Sequence, residues 1–410
     1  MQKYKFLLIV AGVFLLAMPL SAQTRTGTID GSVVDSDGGA LPGVTVVVTG
    51  PALQGNRTAI SDGNGEFLVS LLPPGSDSRG VLSLSGVDPL EQVGVAVVIA
   101  NVTQLDVTMN LESFGETIEV TADSIIVDTS KSMIDTNVSY EMLDTVYNTR
   151  NFQGVMNMVP GVERNANNPR VHGAADTDNI YLVDGVDLSD PRVQMWGTAL
   201  NFDAVAEVQV QAAGFPAEYG RMQGGVVNLV TKSGGNEFHG VARYIIAKED
   251  WAADPKPGTS GGILGDENRP AINFGGPIVR DKIWFWLGYE ERDRIQSFPR
   301  YTDATVTTQE TDSSTYGGDY TQAKVTWQLN PGNTIVGFWN RDPIEISDVW
   351  GRYYLGPAVD PASETTQEQG GYNYSLQWTN IVNENMFLEA KYGRYSGVIN
   401  ITAQGPLGPD

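Results

Sequence analysis

The sequence predicts a mainly β chain: a small N-terminal β-sandwich, then an α+β segment, then strands of a transmembrane β-barrel. Three observations carry this expectation. Glycine is abundant, at 46 of 410 residues, and helix periodicity is scarce, which points to strands joined by many turns. Apolar runs broken by Gly and Pro clusters recur at short spacing through the first quarter of the chain, as they do in a sandwich. From Phe238 onward, apolar and polar residues alternate with period two in segments rich in tyrosine and tryptophan.

Composition narrows the function classes. Asp and Glu number 49 against 26 Lys and Arg, a formal charge of −23, which argues against nucleic acid as a partner because phosphate binding wants a basic surface. With no cysteine, the chain has no disulfide, thiolate zinc site, thiol nucleophile or lipidated cysteine.

Residues 1–22 read as a secretory signal. Lys3 and Lys5 supply a positive start, Phe6 to Leu16 an apolar run too short to span a bilayer comfortably, and Ser21-Ala22 a small-residue cleavage site. An uncleaved anchor helix is the alternative. No later stretch is long and apolar enough for a membrane helix.

Residues 24–112 read as the sandwich. Thr28 to Asp35 and Leu41 to Val48 are strands around the turn Ser36-Asp37-Gly38-Gly39. Phe67 to Val69 follows the turn Asp62-Gly63-Asn64-Gly65, Leu72-Pro73-Pro74-Gly75 is a further turn, and Val93 to Val98 and Leu105 to Leu111 close the set. Asp62, Asn64 and Glu66 alternate as calcium ligands do, but a full loop needs more ligands and a late bidentate glutamate, so a hairpin turn is the better reading. Residues 113–139 read as a linker, with the β-prone run Glu116, Thr117, Ile118, Glu119, Val120, Thr121, Ala122 inside it. From the residues alone this run fits either an exposed extended peptide or the last strand of the sandwich.

Residues 140–235 mix short helices, beginning at Tyr140 and Phe152, with strands at Val171-His172-Gly173, at Ile180 to Val183, at Val205 to Gln211 and through Arg221 to Thr231. Asp184-Gly185 is a hairpin signal, and the alternation in Val205 to Gln211 predicts a half-buried strand. From 236 to 410 the barrel pattern takes over. Tyr372, Tyr374, Leu376 and Trp378 fall on one face against Asn373, Ser375, Gln377 and Thr379; Ala323, Val325, Trp327 and Leu329 oppose Lys324, Thr326 and Gln328; Met386, Leu388, Ala390 and Tyr392 oppose Glu389 and Lys391. About seven strands of about 10 residues are expected.

Glu218 to Gly240, EYGRMQGGVVNLVTKSGGNEFHG, resembles the plug-to-barrel junction of TonB-dependent outer-membrane receptors of the Oar-like branch. Arg150-Asn151-Phe152-Gln153 through Val159-Pro160-Gly161-Val162, and Asn179 to Asp187 (NIYLVDGVD), resemble plug segments of that branch. GxVxDxxGxxLPGVxVxV from Gly31, with Gly65-Glu66-Phe67 and Leu-Pro-Pro-Gly, is similar to carboxypeptidase-regulatory-like domains. The tyrosine usual after the last motif is replaced by Ser76-Asp77-Ser78-Arg79, which puts the position of that strand in doubt.

The resemblance implies a plug filling a barrel of about 22 strands, of which the chain would carry the start. It implies that Glu116 to Ala122 is a TonB box captured by a periplasmic TonB-type energy-coupling protein through β-augmentation, and its position between sandwich and plug favours this reading. It implies contact with outer-membrane lipid, and uptake of a small-molecule, oligosaccharide or peptide ligand, with Arg192 and Trp196 facing it. Siderophores and cobalamin are among the candidates. The alternative is an adhesive or structural surface β-protein.

No enzyme reading, cofactor or metal site emerges. His172 and His239 stand in no metal-spaced pair, and no GxSxG, phosphate loop or HExxH occurs. The acidic group Asp176, Asp178, Asp184, Asp187 and Asp190 is expected to face solvent or barrel arginines, with weak calcium binding open to some of its members.

Overall fold

The computed structural model describes residues 26–85, 89–110, 118–121, 134–146, 150–163, 168–190, 196–215, 219–220, 222–251, 263–301, 309–347, 365–383 and 386–403. The expected signal segment 1–22, the flanks Glu116, Thr117 and Ala122 of the box-like run, and Arg192 lie outside them.

The N-terminal unit is a two-sheet sandwich of nine strands: β1 (Gly27–Asp35), β2 (Thr45–Thr49), β3 (Arg57–Ile60), β4 (Glu66–Leu72), β5 (Gly75–Ser83), β6 (Leu90–Val97), β7 (Val102–Gln104), β8 (Val107–Met109) and β9 (Ile118–Thr121). One sheet runs β4-β1-β7 with β8 also on β1; the other runs β3-β2-β5-β6-β9. The alternation read from the sequence turns Ile29, Val33, Val46, Val48, Phe67 and Val69 into the shared core. Gly31 has a steric reason to be glycine: a Cβ there would lie 1.9 Å from the Leu105 carbonyl oxygen. Asp62 caps the following turn by accepting from the Asn64 and Glu66 amides at 2.8 and 3.0 Å, with Gly65 at φ +78°, the geometry of a turn that satisfies its own carboxylate. β5 forms in place through Ser76 to Arg79, with register shifts against β6 where the sequence departs from the family pattern.

The inner domain is a five-stranded sheet, β10-β15-β16-β13-β14, comprising β10 (Ile134–Ser139), β13 (Ile180–Val183), β14 (Val186–Asp187), β15 (Val205–Ala213) and β16 (Val226–Thr231). A separate small ribbon pairs β11 (Val162–Glu163) with β12 (Arg170–Val171). Ser139 caps the short helix Tyr140–Thr145, its hydroxyl accepting from the Met142 amide. Asp184 and Gly185, at φ +47° and +68°, make the β13–β14 turn with both central residues left-handed, as the Asp-Gly pair predicts. The strand expected at Val171-His172-Gly173 stops after Val171, because His172 takes φ +50° and opens a turn. β15 was expected to be half-buried and is instead buried on both faces. Its valines enter the core with Tyr181 and Leu229, while Glu207, Gln209 and Gln211 on its other face are covered as well.

Among the described residues, eight strands form the wall: β17 (His239–Ala247), β18 (Ile263–Val279), β19 (Ile283–Tyr301), β20 (Gln309–Asn330), β21 (Asn333–Arg341), β22 (Ile344–Ile346), β23 (Thr365–Asn383) and β24 (Met386–Ala403). All pair antiparallel. β21 and β22 each pair with both β20 and β23, so they are two parts of one wall position interrupted at Asp342-Pro343. The expected parity holds: Leu287, Val325, Trp327, Leu376 and Trp378 point outward, while Asn273, Trp286, Gln322, Lys324, Asn373 and Gln377 are buried against the inner domain. The strands are longer than expected, at 17, 19, 22, 19 and 18 residues for β18, β19, β20, β23 and β24. The far half of β20, Gln309 to Asp319 in sequence, is mostly polar and gives no alternation to read. Tight turns at Arg280-Asp281-Lys282 and Pro331-Gly332 gather at one rim, where the sandwich also sits: Gln54 Nε2 donates to the Gly234 carbonyl at 3.1 Å. Among the described residues, no helix is long and apolar enough to cross a membrane, which leaves membrane-crossing strands unaffected.

Candidate functional site: the seam between sandwich, inner domain and wall

The described part of the box-like run, Ile118 to Thr121, is a strand. Ile118 to Thr121 pair parallel with Leu90 to Val93 of β6, making β9 the edge of the sandwich's five-stranded sheet. The alternative placement weighed from sequence, the sandwich's last strand, is the one adopted.

Directly after β6, the chain turns through Val98 to Asn101 and meets the inner domain. The Ile99 amide donates to both oxygens of Glu207, at 3.2 and 3.4 Å, and the Ile99 carbonyl accepts from Asn137 Nδ2 at 3.0 Å and Gln209 Nε2 at 3.4 Å. The backbone N–H and C=O of one sandwich residue, Ile99, are thereby held by three buried or half-buried polar side chains of β10 and β15. Burial pushes the Glu207 carboxyl up to about 8, opposed by the Ile99 amide, which favours the ionised form. A cavity of about 780 Å³ opens beside it, lined by Ser139, Tyr140, Glu207, Lys232, Trp286 and Lys324 among others. Lys232 stands 3.0 Å from the centre of the Tyr140 ring, and burial pushes its ammonium down to about 8.

Glu207 makes stability depend on pH. Its carboxyl ionises near 4.5 when unfolded and near 8 when folded, so the folded state binds more protons between these values. The contribution is fully present below about 4.5 and is lost as pH rises through about 8, on the order of a few kcal/mol in all. Glu207→Gln should flatten the fall in thermal midpoint over this window; an unchanged slope would show that other groups carry it.

The remaining contacts join inner domain to wall. Asp184, fully buried, lies 3.2 Å from Lys324 Nζ of β20 and accepts from the Thr231 hydroxyl and amide at 2.6 and 3.1 Å. Lys324 also donates to the Thr231 carbonyl at 2.9 Å. Asp184 therefore does not face solvent, and its wall partner is a lysine at the inward parity of β20. Below the helix Tyr140–Thr145, buried Asp203 pairs with Arg150 and, at 3.3 Å, with Arg243 of β17, while Asp144 reaches Arg243 at 2.5 Å. Farther from the tight turns, Asp342 accepts from the Thr198 hydroxyl at 3.0 Å and from the Ala199 and Gly371 amides, and Tyr395 donates to the Gly197 carbonyl. Of the two residues expected to face ligand, Trp196 is described: it is half-buried, edge-on to Tyr181 at 5.4 Å, and bridges to Ser189.

Sequence reasoning missed Glu207, Asp203, Lys324 and Asp342. The one available signal was parity, because Lys324 occupies an inward position between Ala323 and Val325.

Two family models match: the carboxypeptidase regulatory-like domain over residues 28–110 and the outer membrane beta barrel domain over 230–316. The TonB-dependent transporter Oar of Myxococcus xanthus is 28% identical over 304 residues, covering 68% of this chain and 28% of its own length. The chain thus spans a little over a quarter of the curated relative it matches. Among solved structures it is similar to the outer membrane transporter YddB of Escherichia coli (TM-score 0.48, 16% identity, 60% of this chain and 37% of that one). It is also similar to the ferripyoverdine receptor of Pseudomonas aeruginosa (TM-score 0.42, 15% identity, 67% and 36%). The named relatives are transporters and receptors. The chain is a homologue of the TonB-dependent transporter Oar, with a carboxypeptidase regulatory-like domain and an outer membrane beta barrel domain that place it in the Gram-negative outer membrane.

Proposed function

We propose that this chain is the N-terminal part of an outer-membrane active transporter, in which the inner domain is a plug that moves when pulled. The observation that carries the reading is the chemistry of the seam. Inner domain and wall meet through hydrogen bonds and ion pairs, Asp184–Lys324, Asp203–Arg243 and Asn201–Asn273 at 3.0 Å, beside an apolar contact in which Phe338 and Tyr395 of the wall join the inner core. Polar partners can be exchanged for water one at a time, so a plug so held can shift without exposing a dry core.

The tight-turn rim would face the periplasm, as short turns do in such barrels, placing the sandwich and the box-like segment on the periplasmic side. A TonB-type coupling protein would capture Glu116 to Ala122 by adding a strand to it. Ligand would enter from the opposite face, toward the loop carrying Arg192 and Trp196. The ligand is a siderophore, an oligosaccharide or a peptide.

Deleting Glu116 to Ala122 tests coupling. Cells carrying the deletion should bind whichever of these ligand classes the intact receptor binds, yet lose energy-dependent accumulation by tenfold or more. Accumulation that survives the deletion would remove the transport reading. Cell-surface adhesion lost by the deletion, with no transport in either strain, would favour an adhesive role.

A further inference from the structure

We infer that the β6 edge of the sandwich is the resting dock of the coupling segment, and that a partner must strip β9 from it before a pull can run along the chain into β10. This rests on the reading of Glu116 to Ala122 as the coupling segment. Two observations on one stretch of chain support it. Residues Leu90 to Val93 hold β9 in parallel register, and the same chain, nine residues past Leu90, presents the Ile99 peptide to Glu207, Asn137 and Gln209. One continuous segment of sandwich therefore grips the coupling run at one end and the inner domain at the other.

The consequence is mechanical. While β9 lies on β6, tension on it has a path through β6 to Ile99 and into β15, which bypasses the covalent connector to β10. That path loads the buried contacts of Ile99, and the inner sheet is pulled as a block at its β15 side. Once β9 is off, tension runs along the chain to Ile134, where β10 begins. The dock is weak enough to be reversible: four residues, paired on one side among the described residues. The partner's strand would replace the β6 ladder with one of its own, an exchange of equivalent backbone hydrogen bonds.

The absence of native cysteine allows a clean test. Two register pairs, Glu91→Cys with Glu119→Cys and Val93→Cys with Thr121→Cys, are introduced separately into the full chain in detergent micelles. Neighbouring strands bring such pairs within disulfide or short-linker reach. The probe is the purified C-terminal domain of the coupling protein from the same bacterium. Oxidation of either pair should lower capture at least tenfold, reduction should restore it, and single cysteines should show no redox effect. Equal capture by oxidised and reduced forms would overturn the inference, as would failure of both pairs to cross-link. The chain lacking Glu116 to Ala122 separates the two levels. If capture needs the segment but ignores the cross-link, the coupling reading stands and the dock falls; if capture survives the deletion, both fall.

Discussion

Lys324→Met should destabilise the protein by about 3–5 kcal/mol, the largest single effect expected in the seam. The substitution leaves the Asp184 carboxylate, which has no solvent exposure, without its counter-charge. The Thr231 amide and hydroxyl still donate to it, but dipoles replace a cation poorly at this depth. The double variant Asp184→Asn with Lys324→Met should recover most of the loss, because it removes both charges together and keeps the Thr231 contacts near neutral cost. Guanidinium unfolding of the micelle-bound protein measures all three. A loss below about 1 kcal/mol for Lys324→Met would mean that water reaches Asp184 and screens it.

Asp203→Ala should come close behind, at about 3 kcal/mol, and for a different reason. Asp203 holds two guanidinium groups, Arg150 and Arg243, from a side chain that is 2% exposed. Its loss sets two cations near each other, with Asp144 bound to both. Asp144 is 40% exposed, so Asp144→Ala should cost under about 1 kcal/mol. The contrast is the test: comparable losses for the two variants would show that burial does not govern this cluster. Asp203→Ala should also speed proteolysis around Tyr140–Thr145, since that helix sits over the pair, with Tyr140 within 3.4 Å of Asp203.

The sequence made some of this plain and hid the rest for physical reasons. Outward Leu376 and Trp378 and inward Gln377 were readable because a strand's period is fixed at two, and Asp184-Gly185 because its turn needs two left-handed residues. The Oar-like character was readable at Glu218 to Gly240, where several short features occur in fixed order. Lys324 could be given a side of the wall but not a partner, since Asp184 lies 140 residues away and no local pattern encodes that distance. β15 looked half-buried because its alternating Glu207, Gln209 and Gln211 read as a wet face; tertiary packing covers that face and supplies partners, Ile99 to Glu207 and Asp135 to Gln209. For Ile118 to Thr121, β-propensity is the same for a strand on its own sandwich and a strand on a partner, so the residues left the choice open.

The place of β10 in its sheet has a further consequence. It is an outer strand, joined to β15 by one antiparallel ladder from Ile134 opposite Ala213 to Ser139 opposite Glu207, with an irregular first rung. The end at Ser139 is the one beside the Ile99 contact, so the chain enters β10 at the end away from the sandwich. A load drawn back toward the sandwich would fold β10 over on itself and open it rung by rung, starting where the register is already broken. Such unzipping yields at far lower force than shearing, in which all rungs resist at once. The core strands β15 and β16, each flanked on both sides, have no equivalent weak direction. The inner domain is thus mechanically anisotropic, soft at one strand and stiff behind it.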